Sequence, residues 1–173
     1  ERARPEEAAE LLDYLKIVGG ETNNLSFGAE GVPLSLEAEQ DYLRAQCVST
    51  DNAQFFANVD GEIIGTASLN RNHNRMSHRG VFGISLKKAW WGCGAASALM
   101  EEILAFAKEN GFELLNLEVR SSNTRAIHLY EKYGFRKLCT FPHFFKIDGE
   151  YIDFDLMNLE LDIAGDYVEE NVK

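Results

Sequence analysis

Three stretches of this 173-residue chain hold residue types and spacings that could do chemistry. The first is Trp91-Gly92-Cys93-Gly94-Ala95-Ala96, between a strand-like and a helix-like run. Glycines let backbone approach a ligand closely, and the first N–H groups of a following helix point outward. With the helix dipole they form an anion site suited to phosphate. The small Ala95 and Ala96 keep side chains out of the way. The stretch is not a P-loop, because no Gly-Lys-Ser/Thr follows, and not a GxGxxG fingerprint, because Ser97 takes the third glycine position. The plain alternative is a tight turn that binds nothing. The second stretch runs from Asn123 to Phe135. Asn123 can cap a helix, Tyr130 lies two turns along the same face, and Gly134 ends it. Taken alone, Tyr130 is more often a core aromatic with its hydroxyl at the surface. The third is Leu114 to Arg120. There Leu115, Leu117 and Val119 share one face, and Leu114, Asn116, Glu118 and Arg120 the other. An unpaired carboxylate is costly to bury in mid-strand, so Glu118 either serves chemistry or is held by Arg120 or the backbone.

Composition removes several classes. With 17 Lys+Arg against 28 Asp+Glu and a formal charge of −11, the chain is a poor nucleic-acid binder. At 45% hydrophobic it can build a core, and its length fits one domain. No apolar run is long enough to cross a membrane, and the charged stretch Glu1 to Glu10 does not read as a signal peptide. Cys47, Cys93 and Cys139 are an odd, widely spaced set, which points to a reducing, cytoplasmic compartment rather than a disulfide framework. Without CxxC, HExxH or histidines at ligand spacing, no metal is expected.

The elements that must position these residues follow from periodicity. Glu1 to Arg4 fit the end of a strand. Pro5 opens a helix that Gly19-Gly20 stops. Residues 21 to 34 have no period and form a loop long enough to act as a lid. Ser35 caps a second helix. Asp60-Gly61 joins two strands, and His78 to Leu86 forms a third, with Gly80 and Gly83 allowing a bulge. A helix from Ala95 to Asn110, the strand at Leu114, a short helix from Asn123, and two strands joined at Asp148-Gly149 complete a mixed α/β layer structure. The domain spans residues 1–160, followed by an acidic tail at 161–173. Cys47 and Cys139 read as core.

Together, the glycine connection and the Asn123 stretch resemble the GNAT superfamily of N-acetyltransferases. Trp91 to Ala96 is similar to its acetyl-CoA motif, (Gln/Arg)-x-x-Gly-x-(Gly/Ala), in register with Gly94 and Ala96. Asn123 to Phe135 follows Asn-x-x-Ala-x-x-Leu-Tyr-x-x-x-Gly-Phe at every named position. The resemblance is tightest over residues 78–136 and implies a mixed, mainly antiparallel twisted sheet with helices on both faces. It implies acetyl-CoA as co-substrate and an amine acceptor, with no nucleic acid and no membrane. A homodimer stays open. In this chain Trp91 replaces the usual Gln or Arg and Cys93 a common basic residue, so the pyrophosphate would lean on backbone amides or on Lys87 and Lys88.

The resemblance places the acetyl-pantetheine along Ile84, Ser85 and Leu86, and the rest of the coenzyme at Trp91, Gly92, Cys93, Gly94, Ala95, Ala96, Asn123 and Arg125. It assigns the general acid to Tyr130. Glu118 resembles the catalytic glutamate of the ribosomal-protein alanine acetyltransferase branch, at the same spacing from the tyrosine. Acetyl transfer to an amine needs a base, because at pH 7 only about a tenth of an α-amine of pKa near 8 is neutral. Glu118 or water is the expected base, with His78 in reserve. Arg136 and Lys137 are further candidates for the coenzyme phosphates. The acceptor is a small amine or amino acid, or a protein N-terminus. The rival reading is a GNAT-like acyl-CoA sensor or interaction module without turnover.

Overall fold

The structure is a computed structural model and describes residues 1–161, so the acidic tail, apart from Leu161, lies outside the described residues. Helices α1 (Ala8–Glu21) and α2 (Leu36–Val48) precede strands β1 (Asn52–Val59), β2 (Glu62–Arg71) and β3 (Arg79–Leu86). Then follow α3 (Ala95–Glu109), β4 (Leu114–Arg120), α4 (Thr124–Lys132), β5 (Arg136–Ile147) and β6 (Glu150–Glu160). The strands form one sheet in the order β1-β2-β3-β4-β6-β5. Every neighbouring pair is antiparallel except β3 with β4. Arg2 adds a short antiparallel bridge to Phe55, as the strand-like start of the chain predicts. Both two-residue hairpins have positive φ at each central residue, 51° and 82° at Asp60-Gly61 and 50° and 87° at Asp148-Gly149. That turn matches the twist of the strands it joins.

Alternation along the strands divides the core in two. Phe55, Leu69, Phe82, Leu115, Leu117 and Val119 pack with α3 on one face. Phe56 and Ile63 pack with Leu11, Tyr14 and Val18 of α1 and with Leu43 of α2 on the other. Burying each such side chain stabilises the fold by roughly 1.5–3 kcal/mol.

Three expectations fail, each for a tertiary reason. Helix α1 runs through Gly19 and Gly20 to Glu21. Gly19 is needed for close approach: a Cβ there would lie 2.0 Å from the Gly28 carbonyl oxygen, so the following loop packs directly on the helix backbone. Strand β3 has no bulge, because its pairing with β2 is in unbroken register from Gly65–Leu86 to Arg71–Gly80. A Cβ at Gly80 would meet Leu69 at 2.6 Å and the Phe112 ring at 2.7 Å, so this glycine serves packing. Cys139 is exposed rather than core, because it lies on the outermost strand.

Candidate active site

The parallel pairing of β3 with β4 is confined to Arg79–Leu114, Gly80–Leu115 and Val81–Asn116. Both strands continue, to Leu86 and Arg120, without a shared ladder. The diverging halves leave a wedge in the sheet, and the edge of β3 beyond Val81 has no strand partner on that side. A cavity of about 1050 Å³ fills the wedge. It stands at the upper end of the roughly 300–1,000 Å³ of ordinary small-molecule pockets, so it has room for a large ligand.

On the α3 face the cavity wall is the glycine connection. Gly92 and Gly94 have φ of 81° and 94°, a conformation that side chains resist, and nothing lies within 4 Å of a Cβ at either. Gly94 is the N-cap of α3 and supplies no side-chain cap. The first bond within the helix runs from Ala98 N–H to the Gly94 carbonyl at 3.1 Å, so the amides of Ala95, Ala96 and Ser97 have no helical partner. Trp91 is fixed by its Nε1–H donating to the Leu86 carbonyl at 3.0 Å. The Arg125 guanidinium stacks on its ring at 4.7 Å. Arg125, His128 and Lys132 line the cavity from α4, at positions i, i+3 and i+7. Asn123 caps α4 by accepting from Ala126 N–H at 3.4 Å.

Tyr130 sits where α4 meets the wedge. Its ring is 6% exposed and stands edge-on to Phe82 at 6.0 Å, beside Phe135 at 5.8 Å. Burial pushes its phenol above the usual tyrosine range, so it is protonated at neutral pH. Glu118 and Arg120 line the same cavity from β4. Alternation puts them opposite Leu117 and Val119, on the face that α1 and α2 cover. The ion pairs among the described residues include neither, so the alternative in which Arg120 holds Glu118 is not the one seen. The opposite wall includes Val18, Thr22, Asn24, Leu25 and Ser26 from α1 and its loop. Phe144, Phe145 and Phe154 complete it. A bulge in β5 delivers the first two, since Phe141 pairs with Phe154 but Phe145 pairs with Ile152. His143, at φ 59°, turns the extra residues, and its N–H donates to Asp153 Oδ1 at 2.9 Å.

The structure therefore gathers Ile84, Ser85, Leu86, Trp91, Gly92 and Gly94 around one cavity. Ala96, Asn123, Arg125, Tyr130 and Glu118 line it too. Cys93 and Ala95 fall outside the lining, and the Cys93 thiol donates instead to the Trp90 carbonyl at 2.9 Å. Lys87 is not available for phosphate, because it is buried with its Nζ 2.5 Å from Glu62 Oε1. Lys137 is bound to Asp155 at 2.9 Å. His128, Lys132, Arg120 and Phe154 line the cavity as well, although the sequence reads His128 as ordinary helix surface and Arg120 only as a candidate partner of Glu118. The helical period from Arg125 pointed to the first two, and the face shared with Glu118 pointed to Arg120.

Residues 23–135 match the acetyltransferase (GNAT) family, well over half of the chain. The chain belongs to the GNAT acetyltransferase family. An acetyltransferase of the GNAT family from Streptococcus pneumoniae, a solved structure, is 30% identical with a TM-score of 0.90, covering 93% of this chain and 98% of that one. The L-amino acid N-acetyltransferase AaaT of Escherichia coli is 34% identical over 103 residues. That alignment spans 58% of this chain and 63% of the relative, short of two thirds of its length. A further GNAT-fold structure, yncA from Salmonella typhimurium with its cofactor acetyl-CoA, is 17% identical with a TM-score of 0.83 over 96% of this chain and 95% of that one. At that identity the likeness concerns the fold, and this chain has the family fold with its wedge open between β3 and β4.

Proposed function

We propose that this chain is an acetyl-CoA-dependent N-acetyltransferase in which a primary amine attacks the thioester directly. The observation that carries the reading is the single cavity, which joins an uncapped glycine-headed helix start to a buried tyrosine and an unpaired carboxylate. The residues present fit the coenzyme. The amides at the start of α3 and the cations of α4 suit its phosphates, and the unpartnered edge of β3 at Ile84 to Leu86 suits its pantetheine amides. Acetyl-CoA supplies the activated acyl group.

The protein's own groups then handle the protons. Glu118 Oε, directly or through water, takes the proton from the amine and leaves it neutral for attack. A backbone N–H on the free edge of β3 can meet the developing oxyanion. As the carbon–nitrogen bond forms and the carbon–sulfur bond breaks, Tyr130 donates a hydrogen bond to the departing sulfur. Its raised pKa lies well above the thiol value of about 8.5, so the phenol shares its proton more readily than it surrenders it.

Steady thiol release from acetyl-CoA that depends on an added amine is the expected result. Coenzyme binding without release across a broad amine panel would turn the protein into a sensor. Tyr130→Phe should lower kcat far more than it raises the KM for acetyl-CoA. Glu118→Gln should remove the acidic limb of the pH–rate profile, and an unchanged profile would assign the proton to water or another group.

A further inference from the structure

The acceptor end of the cavity carries two opposite charges that do not neutralise each other. Glu118 and Arg120 are two residues apart on one face of β4, about 6.6 Å along the strand. Both line the cavity, and no ion pair among the described residues includes them. The hydrogen bond recorded for the Arg120 side chain is a long one, 3.5 Å from Nη1 to the Asn23 carbonyl. Most of its forked donors therefore have no protein partner among the described residues, at a residue that lines the cavity. Beside them is an apolar wall. Phe154 is the cross-strand partner of Arg120. The rings of Phe145 and Phe144 lie 4.2 and 4.9 Å from Phe154, held there by the β5 bulge. Leu25 and Val18 line the same end from α1 and its loop.

An anion, a bidentate cation and an aromatic wall in one site complement a molecule with an ammonium, a carboxylate and an apolar body. We propose that the acceptor is a free α-amino acid with an aromatic or large apolar side chain, its amine at Glu118, its carboxylate at Arg120 and its side chain against Phe144, Phe145 and Phe154. This inference rests on the acetyltransferase reading above and narrows it. A peptide N-terminus offers Arg120 a neutral amide instead of a carboxylate. A polycationic amine would set ammonium groups against the guanidinium and the apolar wall. The reaction balances without a further reactant. The ammonium gives one proton to Glu118, the amino nitrogen bonds to the acetyl carbon as the carbon–sulfur bond breaks, the nitrogen's second proton passes to the departing sulfur beside the Tyr130 hydroxyl, and the products are an N-acetylamino acid and the coenzyme thiol.

The test compares kcat/KM for L-phenylalanine, L-phenylalaninamide, glycine, an alanine-initiated peptide and spermidine. L-Phenylalanine should lead the amide and glycine by about 10-fold or more each, since a site built around a charged group or a large apolar one rejects analogues that lack it. Arg120→Met should erase the preference for acid over amide, a ratio that general loosening of the fold would not move. The wild-type series needs no variant to fold. Equal or faster turnover of the amide, the peptide or spermidine overturns the proposal while leaving the acetyltransferase reading intact. Absence of thiol release with every amine, together with no calorimetric binding of acetyl-CoA, overturns both.

Discussion

Replacing Gly19 with alanine should damage the protein although alanine is the better helix former. The added methyl would sit 2.0 Å from the Gly28 carbonyl oxygen, 2.6 Å from its carbon and 3.0 Å from the Phe27 ring. Relief of those contacts requires helix and loop to part by about 1 Å or more. Helix propensity favours alanine by up to about 1 kcal/mol, whereas overpacking costs about 1–3 kcal/mol. The net loss is about 1–2 kcal/mol, or a Tm lowered by about 2–8 °C in a chain of this length. Gly20→Ala is the control, because its methyl would meet only Ala29, at 3.4 Å from Cβ and 3.9 Å from Cα, and should leave stability level or slightly raised. The displaced loop carries Thr22, Asn24, Leu25 and Ser26 of the cavity wall. Acceptor kcat/KM should therefore fall about 10–100-fold in Gly19→Ala, as misplacement on this scale does elsewhere. Acetyl-CoA affinity by calorimetry should hold, since its cradle is on the other face of the sheet. A Gly19→Ala protein as stable and active as Gly20→Ala would refute the packing argument.

Trp91→Ala should raise the acetyl-CoA Kd about 5–30-fold by freeing Arg125, and Arg125→Ala should then cost less in that background than in wild type. Losses that simply add would mean the stack does not hold Arg125 for binding. Asp155 is buried, which alone would raise its carboxyl, but hydrogen bonds from Lys137, Ser121 and Thr140 hold it below the usual range. Its contribution is present above the unfolded value of about 4 and is lost as pH falls through the lower folded one. Asp155→Ala should cost about 2–3 kcal/mol in urea melts near neutral pH and flatten the acid limb of stability. Burial raises both Tyr14 and Tyr130. Stability should stay level up to about pH 10, where the unfolded tyrosines begin to ionise, then fall above it. A denaturant midpoint that does not drop between pH 10 and 11.5 would contradict that.

The order of elements was legible in the sequence because hairpin turns and helix caps act locally. Asp60-Gly61, Asp148-Gly149, Ser35 and Asn123 each do the job their residue type predicts. The cradle at Gly92 and Gly94 and the position of Tyr130 were legible for the same reason, as each sits at a fixed offset from a helix end. The failures involve partners distant in sequence. Gly19 looks like a helix stop until Gly28 is seen lying on it, and Lys87 looks like a phosphate ligand until Glu62 claims it. Trp91 looked like a lost polar contact. The structure gives it Arg125, thirty-four positions later in the chain, as a stacking partner. The aromatic wall was not legible from alternation, because the β5 bulge lets the consecutive residues Phe144 and Phe145 both line the cavity, whereas a regular strand would send them to opposite faces.

That bulge has an effect beyond the cavity. Strand β5 is the outermost of its side of the sheet, twelve residues long, with Leu138 and Phe141 each 57% exposed. A straight strand of that length would be an open template for fibril-like growth. Pro142, the left-handed His143 and a second register shift after Lys137 break the row of donors and acceptors that an incoming chain would need. Remodelling this strand to admit a different acceptor by restoring regular alternation would thus also produce a stickier molecule, and colloidal behaviour would need to be followed alongside substrate preference.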